Sequence, residues 1–560
     1  MRRPWFIRLL CTMLCFLITA TFCACIKNGK DENTESPTRQ TSTNETTTLP
    51  QNPQSPNEET ALPCVAYIPI DNRPVNKERV EYLAESVGID LIMPDEELYR
   101  TVLDSMEPNS DGSVMGNREA LCAWLLETDK ICDHFIISLD QLTSGGLVSS
   151  RWLSNTDLTF EYKMVDTVLA LCQTNTVYVF DTVMRLASTV DYQGYHIEEY
   201  NAFRAYGRVA RKMLEGEALT LSNIVASYAY DQNGDPISVD VSEEARASYH
   251  ASRERKLKIA DYFLRSAGDT VDFIYIGVDD SSPQNTIQTN EIRYIQALMG
   301  TRGVLSAATD ELGLCCLSRM AAHFYGGADV NLTYYGPGKD QPADGYDIGT
   351  LDDSVQAHLS ALLATQKEQG SGALEVLLLT YGSTDAHRAA LLQRLKENQR
   401  KRIPTALVDV SDNPAQLAEM LMAEGEIDIC RLLGYSSWNT AANAIGIALS
   451  QSTARYAYLC FAGVSNDRAN AGFVKAMTFA YVKDICYKCF DNTIDGLTEN
   501  DSSCSLEKVL ARINQGVPMT SPGGVAESYW GEVAVSNFRY PWNRTFEMTF
   551  DIQVSEKSGK

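Results

Sequence analysis

The chain repeats one device: a short run of Val, Ile, Leu and aromatic residues that stops on an acid. "VAYIPIDNRPVN" (65–76) ends its apolar run at Asp71, "HFIISLD" (134–140) at Asp140, "TVYVFD" (176–181) at Asp181, and "VDFIYIGVDD" (271–280) at Asp279 and Asp280. "LEVLLLTYGSTD" (374–385) and "TALVDVSD" (405–412) repeat it further along. Runs so short and so continuously apolar read as strands covered on both faces. Helical patterns lie between them, among them "NREALCAWLLETDKIC" (117–132), "DELGLCCLSRMAAHFYG" (310–326) and "AHRAALLQRLKENQ" (386–399). This alternation predicts an α/β fold of consecutive parallel-sheet, Rossmann-like units sharing one cleft. A (β/α)8-type barrel with additions is the alternative. The terminal "RTFEMTFDIQV" (544–554) alternates apolar and polar residues and predicts an edge or antiparallel strand.

Parallel sheets gather the carboxyl ends of their strands at one edge, where ligands bind. Acids at strand ends therefore converge on a cleft, or else each caps a helix or begins a turn. Asp71, Asp140 and Asp280 are the candidate catalytic carboxylates. Candidate substrate-binding groups are Asn72 and Arg73 after the first run, Gln141 ahead of "LTSGGLVSSR" (142–151), Asp181 and Arg185 in "FDTVMRLAST" (180–189), and Asp279 in "VDDSSPQNTIQTNE" (278–291). Asp181 and Arg185 stand four apart, where one helical turn would pair them. Asp71 and Arg73 stand two apart, on one face of an extended chain, and Pro74 ends the ladder behind them. An arginine so placed holds a ligand oxygen or keeps a neighbouring acid ionised. In "TDELG" (309–313) Thr309 reads as a helix cap, with Asp310 and Glu311 suiting the helix dipole.

"GYSSWNTAANAIGIALSQ" (434–451) adds Trp438, Asn439 and Asn443 to the binding candidates. Asn439 and Asn443 share a helix face, and Ala441, Ala442, Gly446 and Ala448 allow close packing. Trp438 beside amides and hydroxyls suits a sugar-stacking subsite; a core plug is the alternative.

Composition narrows the function classes. A length of 560 residues suggests about two to four domains. A formal net charge of -25, with no basic stripe interleaved with aromatics, argues against nucleic acid as a partner. The six histidines include no HExxH pair, and no GxSxG appears, which argues against a zinc peptidase and a nucleophile-elbow hydrolase. No cofactor and no metal is called for, although the clustered acids leave a divalent cation as an option. Several of the 15 cysteines sit inside apolar runs and read as buried thiols. Cys486 and Cys489 of "CYKC" read as structural and helix-borne, and with Cys504 they lack the fourth ligand that a zinc site needs.

"MRRPWFIRLLCTMLCFLITATFCAC" (1–25) has the layout of an export signal, with Cys25 as the candidate lipidation site. Residues 26–62, rich in Ser, Thr, Asn, Pro and Glu, read as a solvated tether. Expected beyond it are a first α/β region at 63–325, a second at 326–480, and a C-terminal extension of helix and strand at 481–560. This organisation predicts an exported, envelope-associated lipoprotein, held to the membrane through its N-terminal lipid or anchor.

The stretches "IPIDNRPVN", "ISLDQLTSGGLVSSR", "VFDTVMRLAST", "VDDSSPQ", "TDELGL", "GYSSWNTAANAIGIALSQ" and "FRYPWNRTFEM" (538–548) together resemble an uncharacterised bacterial family, domain of unknown function 4127. The likeness spans about residues 64 to 554. Asn72 stands where the family pattern favours Asp, and Ser437 where it favours Gly. The resemblance implies which residues to watch and no activity. The residues themselves predict a hydrolase that acts on a polar substrate such as a glycan through strand-end carboxylates. A non-catalytic solute-binding lipoprotein is the alternative.

Overall fold

The computed structural model describes residues 62–342, 345–368, 374–462, 466–516 and 532–555. The leader with Cys25 and nearly all of the tether lie outside the described residues. Eleven described strands are parallel and fall into two sheets. The first holds β1 (Cys64–Ile68), β2 (Asp90–Ile92), β3 (His134–Ser138), β4 (Thr176–Val183), β5 (Phe273–Val278) and β6 (Gly303–Ala307), in the order β2-β1-β3-β4-β5-β6. The second holds β7 (Asp329–Tyr335), β8 (Thr365–Gln366), β9 (Leu374–Leu379), β10 (Thr405–Asp409) and β11 (Leu432–Ser436), in the order β8-β7-β9-β10-β11. The chain is thus α/β, with two consecutive parallel-sheet units. Each sheet sets its first strand between its second and third. That reversal is the topological switch point of doubly wound folds, where loops splay apart at the carboxyl edge. A separate antiparallel pair, β12 (Glu532–Arg539) and β13 (Thr549–Ser555), contains the alternating C-terminal stretch.

One core joins the two sheets. The helix Leu312–Tyr325 packs on β3, β4 and β5, the helix Ala441–Ala462 packs on β9, β10 and β11, and the two helices pack on each other. Their apolar faces share a cluster with Tyr67 and Tyr275 of the first sheet and Val376 and Leu407 of the second. Close approach sets the identity of two glycines. A Cβ on Gly313 would lie 2.2 Å from the Tyr67 hydroxyl, and one on Gly446 would lie 2.4 Å from Glu311 Cγ. The other face of the first sheet is covered by a second core, to which the 25-residue helix Glu243–Ala267 contributes Leu257, Phe263 and Leu264. The described residues form one compact unit. No helix among the described residues is long and apolar enough to cross a membrane.

Three local expectations are corrected. The helix after β6 begins at Leu312 with Glu311 at its N-cap and no side-chain cap, so Thr309 is not the capping residue. Asp181 lies within β4, so no helical turn pairs it with Arg185. The helix Asp467–Ala480 passes into a seven-residue π-helix, Tyr481–Tyr487, which contains Cys486 and stops short of Cys489.

Candidate active site

A cavity of about 410 Å³ opens at the carboxyl edge of the first sheet. The segments after β1, β3, β4, β5 and β6 supply Arg73, Arg151, Arg185, Asp279, Asp280 and Asp310 to its wall. The segment after β11 adds Asn439, Thr440 and Asn443, and the connection between β12 and β13 adds Trp542, Arg544, Phe546 and Glu547. Both sheets and the C-terminal pair therefore meet at one polar volume of ligand size.

The chain leaving β1 is fixed by its own polar groups. Arg73 donates to both oxygens of Asp71 from Nε (3.1 and 3.0 Å) and from Nη2 (2.8 Å), while the Arg73 backbone N–H and Asn76 also donate to Asp71. Asp71 is wholly buried and serves to orient Arg73. From Nη2 Arg73 also reaches Asp310 Oδ1 at 2.7 Å. Asn72 does not line the cavity. Its Oδ1 accepts from Trp542 Nε1 at 3.0 Å, and so places the indole beneath the Arg73 guanidinium, 4.9 Å from the ring centroid.

Three acids on the wall each face an arginine: Asp279 with Arg151 at 2.5 Å, Asp280 with Arg185 at 2.5 Å, and Asp310 with Arg73. Burial nonetheless dominates at Asp310. It lifts the carboxyl to about 7 against the pull of Arg73, and Asp71 and Glu547 push the same way as burial. Asp310 Oδ2 also accepts from Asn439 Nδ2 at 3.3 Å, and Asn439 in turn donates to Asn443 at 2.7 Å. Burial likewise raises Asp279. Of the two remaining wall acids, Asp347 accepts from the Ala442 backbone N–H at 2.9 Å, and Glu547 is buried against Lys483 of the π-helix, whose ammonium is disfavoured by burial. Among the described residues no three His, Cys, Asp or Glu side chains are grouped to hold a metal ion.

Of the residues expected from sequence, Arg73, Arg185, Asp279, Asp280, Asn439 and Asn443 line this cavity. Asp140 and Asp181 are held elsewhere. Both accept from Lys256 of the helix Glu243–Ala267, Asp181 at 3.1 Å, and Asp140 also accepts from Thr182 at 2.6 Å. The triad is buried, and burial raises Asp181 to about 6 while Lys256 opposes it. A carboxylate locked against a lysine beneath the sheet edge is a structural group, so the candidate catalytic role of Asp140 and the binding role of Asp181 are not carried by this geometry. Gln141 is buried against Gly116. Trp438 is fully buried, 6.0 Å from Phe546 and 5.1 Å from Lys483, which makes it the core plug.

Sequence reasoning passed over Asp310 as a dipole-suited residue and did not place Arg151, Trp542, Arg544 or Glu547 as site residues. Their signal lies in "ISLDQLTSGGLVSSR", "TDELGL" and "FRYPWNRTFEM", stretches that carry the family likeness.

Fold and site define a tandem doubly wound α/β protein with one polar cavity between its units. The chain belongs to the family described as protein of unknown function (DUF4127), whose model matches residues 65–551. Comparison with curated proteins and with solved structures finds no match.

Proposed function

We propose that this protein is a hydrolase of a polar, glycan-like substrate, acting outside the cytoplasm behind the leader and tether. The observation that carries the reading is the pairing of two unlike carboxyls on one cavity wall. Asp310 is buried and sits near 7, while Asp280 is more open and held by Arg185. Glycoside cleavage needs such a division, with one carboxyl kept protonated as general acid and another kept ionised as base or nucleophile. Asp310 takes the acid role in place of Asp140. It donates its proton to the leaving oxygen, and Arg73 stabilises the carboxylate that remains. Asp280 takes the second role, positioned by Arg185. Trp542, Tyr200 and Tyr346 offer ring faces, and Asn439, Thr189 and Thr440 offer hydrogen bonds to hydroxyls. The competing reading, a non-catalytic solute binder, draws on the fact that Asp279, Asp280 and Asp310 are each already ion-paired. The two separate by assay: the full chain is incubated with a panel of chromogenic glycosides and with cell-wall polysaccharide. Release that disappears in both Asp310→Asn and Asp280→Asn supports the hydrolase, whereas binding without release from any substrate supports the solute binder.

A further inference from the structure

The cavity's cationic side has more donors than the protein satisfies. Arg151 Nη1 donates to Thr189 at 3.0 Å and Nη2 faces Asp279, but the buried Nε finds no acceptor. Arg185 repeats the arrangement: Nη2 faces Asp280, the ring of Tyr200 lies 5.3 Å from the guanidinium, and the buried Nε finds no acceptor. Arg544, on the same wall, spends one nitrogen on the Val190 carbonyl and on Asp191, 3.3 Å away. Two orphaned guanidinium donors at one cavity are costly unless a ligand accepts from them. Elsewhere on the wall the deficit is reversed, because Glu547 Oε1 is buried without a donor.

We infer that the ligand of this cavity carries an oxyanion, a carboxylate or a phosphate, seated on Arg151, Arg185 and Arg544, together with hydroxyls that face Glu547. The inference rests on the reading of this cavity as the ligand site and names the substrate class: an acidic sugar rather than a neutral one. Mutual proximity of the arginines supports it. The Arg151 guanidinium is disfavoured first by burial and also by Arg185 and Arg73, against the pull of Asp279 and Asp280, and Arg544 is disfavoured by burial and by the same two arginines, against the pull of Asp191. An anion relieves that repulsion, whereas a neutral sugar leaves it in place.

The test is calorimetric binding to the full chain of three probes that share one ring, glucose, glucuronate and glucose 6-phosphate, at fixed ionic strength. Expected is binding of at least one acidic probe about tenfold or more tighter than glucose, weakening as salt rises. The preferred acid identifies the oxyanion as carboxylate or phosphate. Arg544→Gln, at the more open end of the wall, and Arg185→Gln are expected to reduce the preference toward that of glucose. The inference is overturned if neither acid binds, if glucose binds as tightly, or if both variants keep the preference while retaining the native circular dichroism. Because the readout is an equilibrium, it stands whether or not a bond is cleaved. Loss of turnover in Asp310→Asn with undiminished acidic-probe binding would leave the two readings separately judged.

Discussion

Arg73 Nη2 lies 2.7 Å from Asp310 Oδ1, tying the end of the first strand to the entrance of the helix that separates the two sheets. The same guanidinium is braced by Asp71, so a wall position of the cavity is set by a buried acid that does not itself line it. Charge at the site is therefore organised in two layers, with Asp71 behind Arg73 and Asp310 in front of it on the cavity wall.

If Asp310 is the proton donor, its position near 7 sets the pH profile. Turnover is expected to fall as pH rises through about 7, because the acid form is lost, and Asp310→Asn is expected to remove roughly 100- to 10,000-fold of kcat at any pH. Stability carries an independent sign. A carboxyl whose folded pKa is raised above its unfolded value binds more protons when folded, so stability falls as pH climbs from about 4 toward 7. The asparagine variant should show a shallower fall over that window. Urea unfolding at pH 4.5, 6 and 7.5 measures it, and an unchanged slope would remove Asp310 from the role.

Lys256→Met leaves Asp140 and Asp181 buried together without their cation. Breaking a buried ion pair in this way costs about 3–5 kcal/mol. Denaturant unfolding should show that loss, while acidic-probe binding by the folded fraction should be kept. A variant that is stable but has lost binding would return Asp140 to the site.

Gly446→Ala places a methyl 2.4 Å from Glu311 Cγ and 2.8 Å from His358 Nε2, inside the Glu311–His358 contact of 3.1 Å. Overpacking of this kind costs about 1–3 kcal/mol. Since Asn443 donates to Glu311 at 2.5 Å and also lines the cavity, the variant should weaken ligand binding as well as lower Tm.

Cys64 and Cys132 face each other across the start of β1 and the turn before β3, with sulfurs 2.7 Å apart. Treatment with oxidised glutathione, which accepts the two electrons and releases two glutathione thiols, should join them. The protein would then lose two titratable thiols and two hydrogen masses, and gain about 2–4 kcal/mol of stability by closing a long loop. Peptide mapping under non-reducing conditions identifies the pair; another pairing, or none, contradicts the geometry.

Much of the fold was legible in the chain. Strands buried on both faces must be continuously apolar, and this shows in "HFIISLD" and "VDFIYIGVDD" without any knowledge of neighbours. Strand alternating with helix implied parallel sheets, and parallel sheets implied that Asp71, Arg73, Asp140, Asp181, Asp279 and Asp280 would gather at one edge; of these, Arg73, Asp279 and Asp280 line the cavity. Which acids face the cavity and which face a lysine was not legible. Asp140 and Asp280 follow their strands in the same manner, and the difference lies in Lys256, more than 100 positions from Asp140 and brought beneath it by the long helix. Trp438 is a plug because Phe546 and Lys483 close over it, while Trp542 reaches the cavity because Asn72 accepts from its indole. The sequence determined periodicity, because burial on a strand or helix is a property of local spacing. Tertiary structure decided the charge and exposure of each polar group, because these depend on partners that the chain supplies from hundreds of residues away.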